Sequence, residues 1–265
     1  MRRTALLLAA ALVACGGGDD APRTEIVVAT TTSVEDTGLL ELLAPALREE
    51  LPDYRVSFVA VGSGQALALA RRGDADVVFV HDPDAEQRFV AEGHGDRRRT
   101  IMRNDFVVIG PPSDPARVRE AATTADAFRR IAAAGALFLS RGDSSGTHRK
   151  EIALWRDAGV VPDGAWYREA GVGQGDLVRM ASERAAYALT DRGTYRFHEA
   201  GLELDVVHAD QPPLENVYSV IVASRARDAR GARAVADWLA GPRARALIRS
   251  HGTERFGSPL FDVIE

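Results

Sequence analysis

Cysteine is nearly absent from this chain of 265 residues, since Cys15 is the only one. No disulfide can therefore form within the chain, and a metal centre ligated by several cysteines is excluded. Positive charge is not in excess either, because 33 basic residues stand against 38 acidic ones and the net charge is -5. This balance gives no electrostatic reason to expect a nucleic acid partner.

Long hydrophobic runs are also missing. The apolar run at residues 5–14 is well below the roughly 20 residues that a membrane-spanning helix needs. Two arginines precede it, as in the hydrophobic region of a signal peptide. The sequence LVAC that ends at Cys15 resembles a bacterial lipobox, in which the cysteine is acylated. We predict that residues 1–23 are a signal peptide and tether, and that lipidated Cys15 holds the protein on the extracytoplasmic face of the cell envelope. The alternative is a secreted protein cut nearby, with Cys15 incidental.

Signatures of catalysis are weak. There is no P-loop motif, because the only lysine, Lys150, follows an arginine. Residues 142–146 (GDSSG) superficially resemble the nucleophile segment of trypsin-like proteases but depart from it at the second glycine. No matching histidine segment precedes them, and the helical phasing does not fit that β fold. We expect no enzyme, no metal and no cofactor, and a hydrolase stays as a distant alternative.

What the sequence does contain is an alternation of buried strands and helices. Apolar, β-rich runs at residues 25–30, 55–61 and 77–80 are separated by helical patterns, which predicts a parallel sheet covered by helices. The pattern restarts after residues 106–109 and closes with a return strand at 216–223. We predict an α/β fold with two lobes, formed by residues 24–104 plus 223–265 and by residues 105–222. A cleft between two hinged lobes is a favoured ligand site.

Three polar turns lie where a strand passes into a helix, and open α/β sheets bind ligands at such carboxyl ends. They are residues 30–33 (TTTS), 62–65 (GSGQ) and 140–147 (SRGDSSGT). Each combines hydroxyl groups with a helix N-terminus, whose free amides carry about half a positive charge. If the turns converge, these charges sum to about +1.5, and Arg141 adds a full charge. The turns therefore predict a site for an anion.

The donor types narrow the anion further. A fully deprotonated tetrahedral oxyanion has only acceptors, so hydroxyls, amides and one arginine suit it without a metal. Taken singly, the turns are weak evidence, because Ser or Thr before a helix usually caps it. The third turn is the most specific, since it packs an arginine, an aspartate and two serines around glycines.

Five motifs, in order, make residues 25–256 resemble the tungstate-binding component of bacterial ABC transporters. They are ATTTSVEDTGLL, VAVGSGQALALARRGDADVVFVHDP, NDFVVIGPPSDPA, SRGDSSGTHRKE and YALTDRGTY. The resemblance implies the type II periplasmic-binding-protein fold, a monomer, and a membrane permease as partner. It also implies the residues that contact the oxyanion, with the last as a hinge-side donor: Thr31, Thr32, Ser63, Arg141, Ser144, Ser145 and Thr190.

Phosphate-binding components of the same transporter class are the nearest alternative, because they share the Ser-Arg-x-Asp-x-Ser-Gly-Thr turn. Phosphate near neutral pH keeps a proton that needs an acceptor, and Asp143 is the candidate acceptor. We interpret Asp143 instead as a partner of Arg141 or a cap of the helix that starts at Gly146. Residues 30–33 and YALTDRGTY favour tungstate, whereas spacing does not separate tungstate from molybdate.

The lipid anchor predicts a change in fractionation. We expect Cys15→Ser to move the protein from the membrane pellet to the soluble envelope fraction, because the acylated sulfur is lost. Immunoblots of the two fractions measure this, and a variant that stays in the pellet contradicts the anchor.

Overall fold

The computed structural model describes residues 23–209 and 212–264. Cys15 and nearly all of the predicted leader lie outside them. None of the helices in the described residues is long and apolar enough to cross a bilayer.

The first sheet has the strand order β2-β1-β3-β9-β4, with the short strand β10 beside β4. Strand β1 pairs in parallel with β2 and β3, whereas β9 runs antiparallel between β3 and β4. The bounds are β1 (Thr24–Thr31), β2 (Tyr54–Val61), β3 (Val77–Val80), β4 (Gly95–Gly110), β9 (Glu215–Ala223) and β10 (Asp262–Val263).

The second sheet uses the last part of β4. Its strand order continues as β4-β7-β5-β6, with β8 also paired to β4. Strand β5 is parallel to β6 and β7, as expected for strands joined through helices. The bounds are β5 (Phe138–Ser140), β6 (Tyr167–Glu169), β7 (Tyr187–Asp191) and β8 (Asp205–His208).

Helices cover both sheets. We call the first sheet with its helices lobe 1 and the second sheet with its helices lobe 2. The lobe 1 helices are α1 (Thr32–Asp36), α2 (Leu39–Glu50), α3 (Ser63–Arg72), α4 (Pro83–Ala91), α9 (Ala229–Leu239), α10 (Pro242–Ser250) and α11 (Thr253–Phe256). The lobe 2 helices are α5 (Thr124–Ala134), α6 (Gly146–Asp157), α7 (Gln174–Glu183) and α8 (Arg192–His198).

The continuous apolar runs of the sequence are explained by burial on two faces. Val77 and Phe79 pack in the cluster that contains α2 and α9, whereas Val78 and Val80 pack with α3 and α4. Alternate side chains of one strand therefore both enter a core, which removes the polar alternation of a half-exposed strand. The predicted α/β fold class is confirmed.

Strand β4 carries the chain from lobe 1 to lobe 2. Residues 95–105 pair with β9, and residues 106–109 pair with β7. The chain returns to lobe 1 earlier than predicted, because β9 lies in the first sheet from Glu215 onward. The sequence analysis places this lobe boundary between residues 222 and 223. The apolar pattern of 216–223 identifies a buried strand but does not say which sheet it joins.

Candidate anion-binding site

Three glycines let the two lobes touch at the candidate site. A Cβ on Gly62 would lie 3.2 Å from Ser145 Cα, and one on Gly64 would lie 2.9 Å from the Ser144 carbonyl oxygen. A Cβ on Gly146 would lie 2.8 Å from the His81 carbonyl oxygen. These contacts join the turns after β2 and β3 to the turn after β5, so the lobes are closed on each other here.

Arg141 lies at the centre of this contact, with only 2% of its surface exposed. Its Nη2 donates to Asp143 Oδ2, and its Nη1 donates to Gln174 Oε1 at 3.3 Å. Asp143 Oδ1 accepts from the Ser145 amide at 3.0 Å. The interpretation of Asp143 as a partner of Arg141 is thus confirmed, whereas the cap of α6 is Ser145 and not Asp143. Arg141 Nε is buried and has no partner among the described residues.

Several buried hydroxyls also lack partners in the described part of the chain. Those of Thr32, Ser63 and Thr147 are among them. Ser63 Oγ lies 2.9 Å from the Cβ position of Gly146, which immediately precedes Thr147. Thr32 lies 3.8 Å from the Cβ position of Gly173, next to the Gln174 that holds Arg141. Buried polar groups are normally paired, so these hydroxyls form a set of available donors.

Uncapped helix starts surround the same donors. Helix α3 begins after Gly62 and α7 begins after Gly173, and neither glycine supplies a side-chain cap. The first amides of such helices suit a negative charge. Helix α1 is only five residues long, so its dipole contributes less than the sequence argument assumes.

The start of α7 was missed by sequence reasoning. The helix begins at Gln174, directly after Gly173, and neither residue was among the predicted contacts. Gln174 is fully buried and bridges Arg141 to the Leu189 carbonyl oxygen, which accepts from Nε2 at 3.2 Å. The available signal was the apolar spacing of Leu177, Val178 and Ala181, which places a helix directly after Gly173.

Thr31 is engaged in a buried network. Its Oγ1 lies 3.0 Å from Ser33 Oγ, which lies 3.4 Å from His81 Nε2. The other ring nitrogen, Nδ1, lies 2.8 Å from Asn216 Oδ1. Burial, with a smaller effect of Arg141, lowers the pKa of His81 to about 4, so the ring is neutral near pH 7. The structure buries His81 beneath the Thr31 turn.

The three remaining residues predicted to contact the oxyanion, Ser144, Ser145 and Thr190, make local hydrogen bonds. Ser145 Oγ caps α6 by accepting from the His148 amide at 3.2 Å, and Thr190 Oγ1 donates to the Asp191 carbonyl oxygen at 3.2 Å. Ser144 is exposed and has a positive φ of 59°. Its amide donates to His148 Nδ1 at 2.9 Å, so this nitrogen is occupied by a backbone amide.

Within residues 23–209 and 212–264, no group of three or more His, Cys, Asp or Glu side chains is placed to hold a metal ion. The chemistry that this arrangement offers is hydrogen-bond donation from hydroxyls, amides and one guanidinium.

Comparison with known proteins gives consistent matches. A model of the PBP superfamily domain matches residues 18–243. The tungstate-binding protein TupA of Peptoclostridium acidaminophilum is 41% identical over 242 residues, covering 89% of this chain and 84% of that protein. The structure of the tungstate ABC transporter from Geobacter sulfurreducens is 43% identical with a TM-score of 0.75, covering 84% of this chain and 97% of that one. The tungstate-binding protein TupA from Desulfovibrio alaskensis G20 is 36% identical with a TM-score of 0.73, covering 91% and 99%.

Proposed function

The chain belongs to the PBP superfamily, and from this premise we propose that it captures tungstate as the substrate-binding protein of an ABC importer. One observation carries the proposal: Arg141 Nε and the hydroxyls of Thr32, Ser63 and Thr147 are buried without partners where two lobes meet. All four are hydrogen-bond donors, and a tetrahedral dianion supplies the acceptors that they need. The names and coverage of the relatives support the same ligand.

The pairing of Asp143 makes phosphate the weaker candidate. Both of its oxygens already accept, one from Arg141 and one from the Ser145 amide. These bonds fix the orientation of the carboxylate, so it is less available to accept the proton of a phosphate, although each oxygen keeps a second lone pair. The fully deprotonated oxyanions fit better, and molybdate stays as the second candidate because it has the same charge and shape.

Capture follows from closure of the lobes. Ser63 and Thr32 belong to lobe 1, whereas Arg141 and Thr147 belong to lobe 2, so only the closed form presents all four donors to one ligand. An anion shifts the population towards the closed form because its affinity for that form is higher. A membrane permease then recognises the closed, loaded protein.

The remaining parts of the proposal are finer. We propose a monomer, tethered by acylated Cys15, without catalytic activity of its own. The absence of catalysis is supported by the contact between His148 Nδ1 and the Ser144 amide, since a nitrogen that accepts from this amide does not activate the Ser144 hydroxyl.

A thermal-shift panel tests the ligand. We expect tungstate to raise the melting temperature most, with molybdate next and sulfate and phosphate well below, because a ligand that binds only the native state stabilises it. A rise with phosphate alone would assign the protein to phosphate uptake. No rise with any anion would remove the oxyanion proposal.

Replacement of Arg141 tests the charge. We expect Arg141→Gln to weaken tungstate binding by about 2–3 kcal/mol in calorimetry, because a charge-assisted donor is lost. The exposed Arg156→Gln is the matched control, since the Arg156 side chain is 78% exposed. The double variant Arg141→Gln/Asp143→Asn separates lost donation from an unpaired Asp143 carboxylate. Unchanged affinity in both Arg141 variants would remove the assigned role.

Gly146→Ala tests whether closure is required. A methyl group there would meet the His81 carbonyl oxygen and Ser63 Oγ, so we expect at least tenfold weaker tungstate binding in calorimetry. The fold of the unliganded protein should survive, because Ala is a good helix residue. Gly201→Ala is the control, since a Cβ there has no neighbour within 4 Å. Equal affinities of the two variants would contradict closure at this contact.

A further inference from the structure

Asp36 connects the two lobes beside the candidate anion site. It is the last residue of α1 in lobe 1, and its Oδ2 accepts from the Gly175 amide in lobe 2 at 2.8 Å. The two residues are 139 positions apart in the sequence. Asp36 is half-buried by this contact. The bond exists only while the lobes are together, because its donor and acceptor belong to different lobes.

The partner amide lies in the first turn of α7. The free amides and the positive end of the helix attract a carboxylate there, which offsets part of the cost of its burial. The approach is tight, since a Cβ on Gly175 would lie 3.2 Å from Asp36 Cγ and 2.9 Å from His198 Nε2. Gln174, the preceding residue, holds Arg141. Asp36 therefore accepts a hydrogen bond from the start of α7, and the same helix start orients the guanidinium of Arg141.

From these contacts, and on the basis of the proposed function, we propose that Asp36 is a positioning residue that fastens lobe 1 to the α7 start and makes oxyanion capture depend on pH. It does not touch the ligand in this proposal. It stabilises the closed form in which Arg141 and the hydroxyls of both lobes face one ligand.

Several charges face Asp36 from neighbouring elements. His198 from α8, Arg141 from the turn after β5 and Arg179 from α7 lower its pKa, as does the Gly175 amide. The neighbouring Glu35 and the buried Asp191 at the end of β7 are like charges that also interact with it. Burial is the largest effect, and the pKa of Asp36 in the closed form is raised above its ordinary value of 3.8.

The sign of the pH effect follows from closure. In an open form Asp36 faces water and has its ordinary pKa, so closing raises the pKa and favours the protonated carboxyl. The affinity for an anion that binds the closed form should therefore rise as pH falls through the raised pKa. The gain is complete below the ordinary value of 3.8, where both forms are protonated. A protonated Asp36 still accepts from the Gly175 amide through its carbonyl oxygen.

Two substitutions separate the hydrogen bond from the charge. Asp36→Asn keeps an acceptor and removes the ionisable group, whereas Asp36→Ala removes both. Glu35→Gln is the matched control, because it removes an exposed neighbouring carboxylate. Each full-length variant is titrated with micromolar tungstate by calorimetry at several values between pH 5 and pH 8. The melting temperature of each unliganded variant checks its fold.

We expect Asp36→Ala to bind tungstate about tenfold more weakly than Asp36→Asn at pH 7. The wild type and Glu35→Gln should gain affinity towards pH 5, whereas Asp36→Asn should show a flatter profile. Because Asp191 also titrates, with a pKa raised to about 6, the carboxyl resonance of Asp36 is followed by NMR without and with tungstate. Its titration midpoint should move up when tungstate binds.

Equal affinities of the Asn and Ala variants would overturn the lobe-fastening role. A midpoint of Asp36 that does not move, or a wild-type pH profile in Asp36→Asn, would overturn the proton linkage. Failure of the proposed function looks different, because the wild type itself would then bind no tungstate at any pH.

Discussion

A buried guanidinium needs a charge partner and fixed geometry, and the structure around Arg141 depends on how both are supplied. Asp143 balances the charge, and Gln174 accepts from a second nitrogen. Removing one partner of a buried ion pair is strongly destabilising, so Asp143 has a structural role beside Arg141. The same carboxylate accepts from the Ser145 amide and so sets the start of α6. The orientation of the arginine and the position of Thr147 therefore have a common origin.

Much of this site could be predicted from the sequence, because strand ends followed by Ser, Thr and Gly are local patterns. The turns carrying Thr32, Ser63 and Arg141 were identified in this way. Thr147 ends the third turn but was not assigned to oxyanion contact, since a threonine inside a helix start resembles an ordinary helical residue. Gln174 and the bond between Asp36 and Gly175 were missed for a different reason. They depend on which elements meet in space, 33 residues apart for Arg141 and Gln174 and 139 residues apart for Asp36 and Gly175. Local periodicity does not contain that information.

The strands that cross between the lobes, β4 and β9, show the same limit of prediction from local sequence. Asn104 of β4 and Asn216 of β9 are register partners, and Asn216 Nδ2 donates to Asn104 Oδ1 at 2.8 Å. Asn104 Nδ2 donates to Asp191 in lobe 2, and Asn216 contacts His81 beneath the Thr31 turn. A partly buried chain of polar side chains therefore runs from the Thr31 turn through both crossing strands to the second lobe. Polar residues in apolar strands look like interruptions in the sequence, whereas here they pair with each other at the hinge.

The donors that lack partners explain why closure and binding belong together. The hydroxyls of Thr32, Ser63 and Thr147 have no partners within the described residues, and they belong to both lobes. A ligand shifts a two-state equilibrium only by the difference between its affinities for the two forms. An anion that accepts from hydroxyls of both lobes has such a preference for the closed form, whereas a ligand that reaches only one lobe does not.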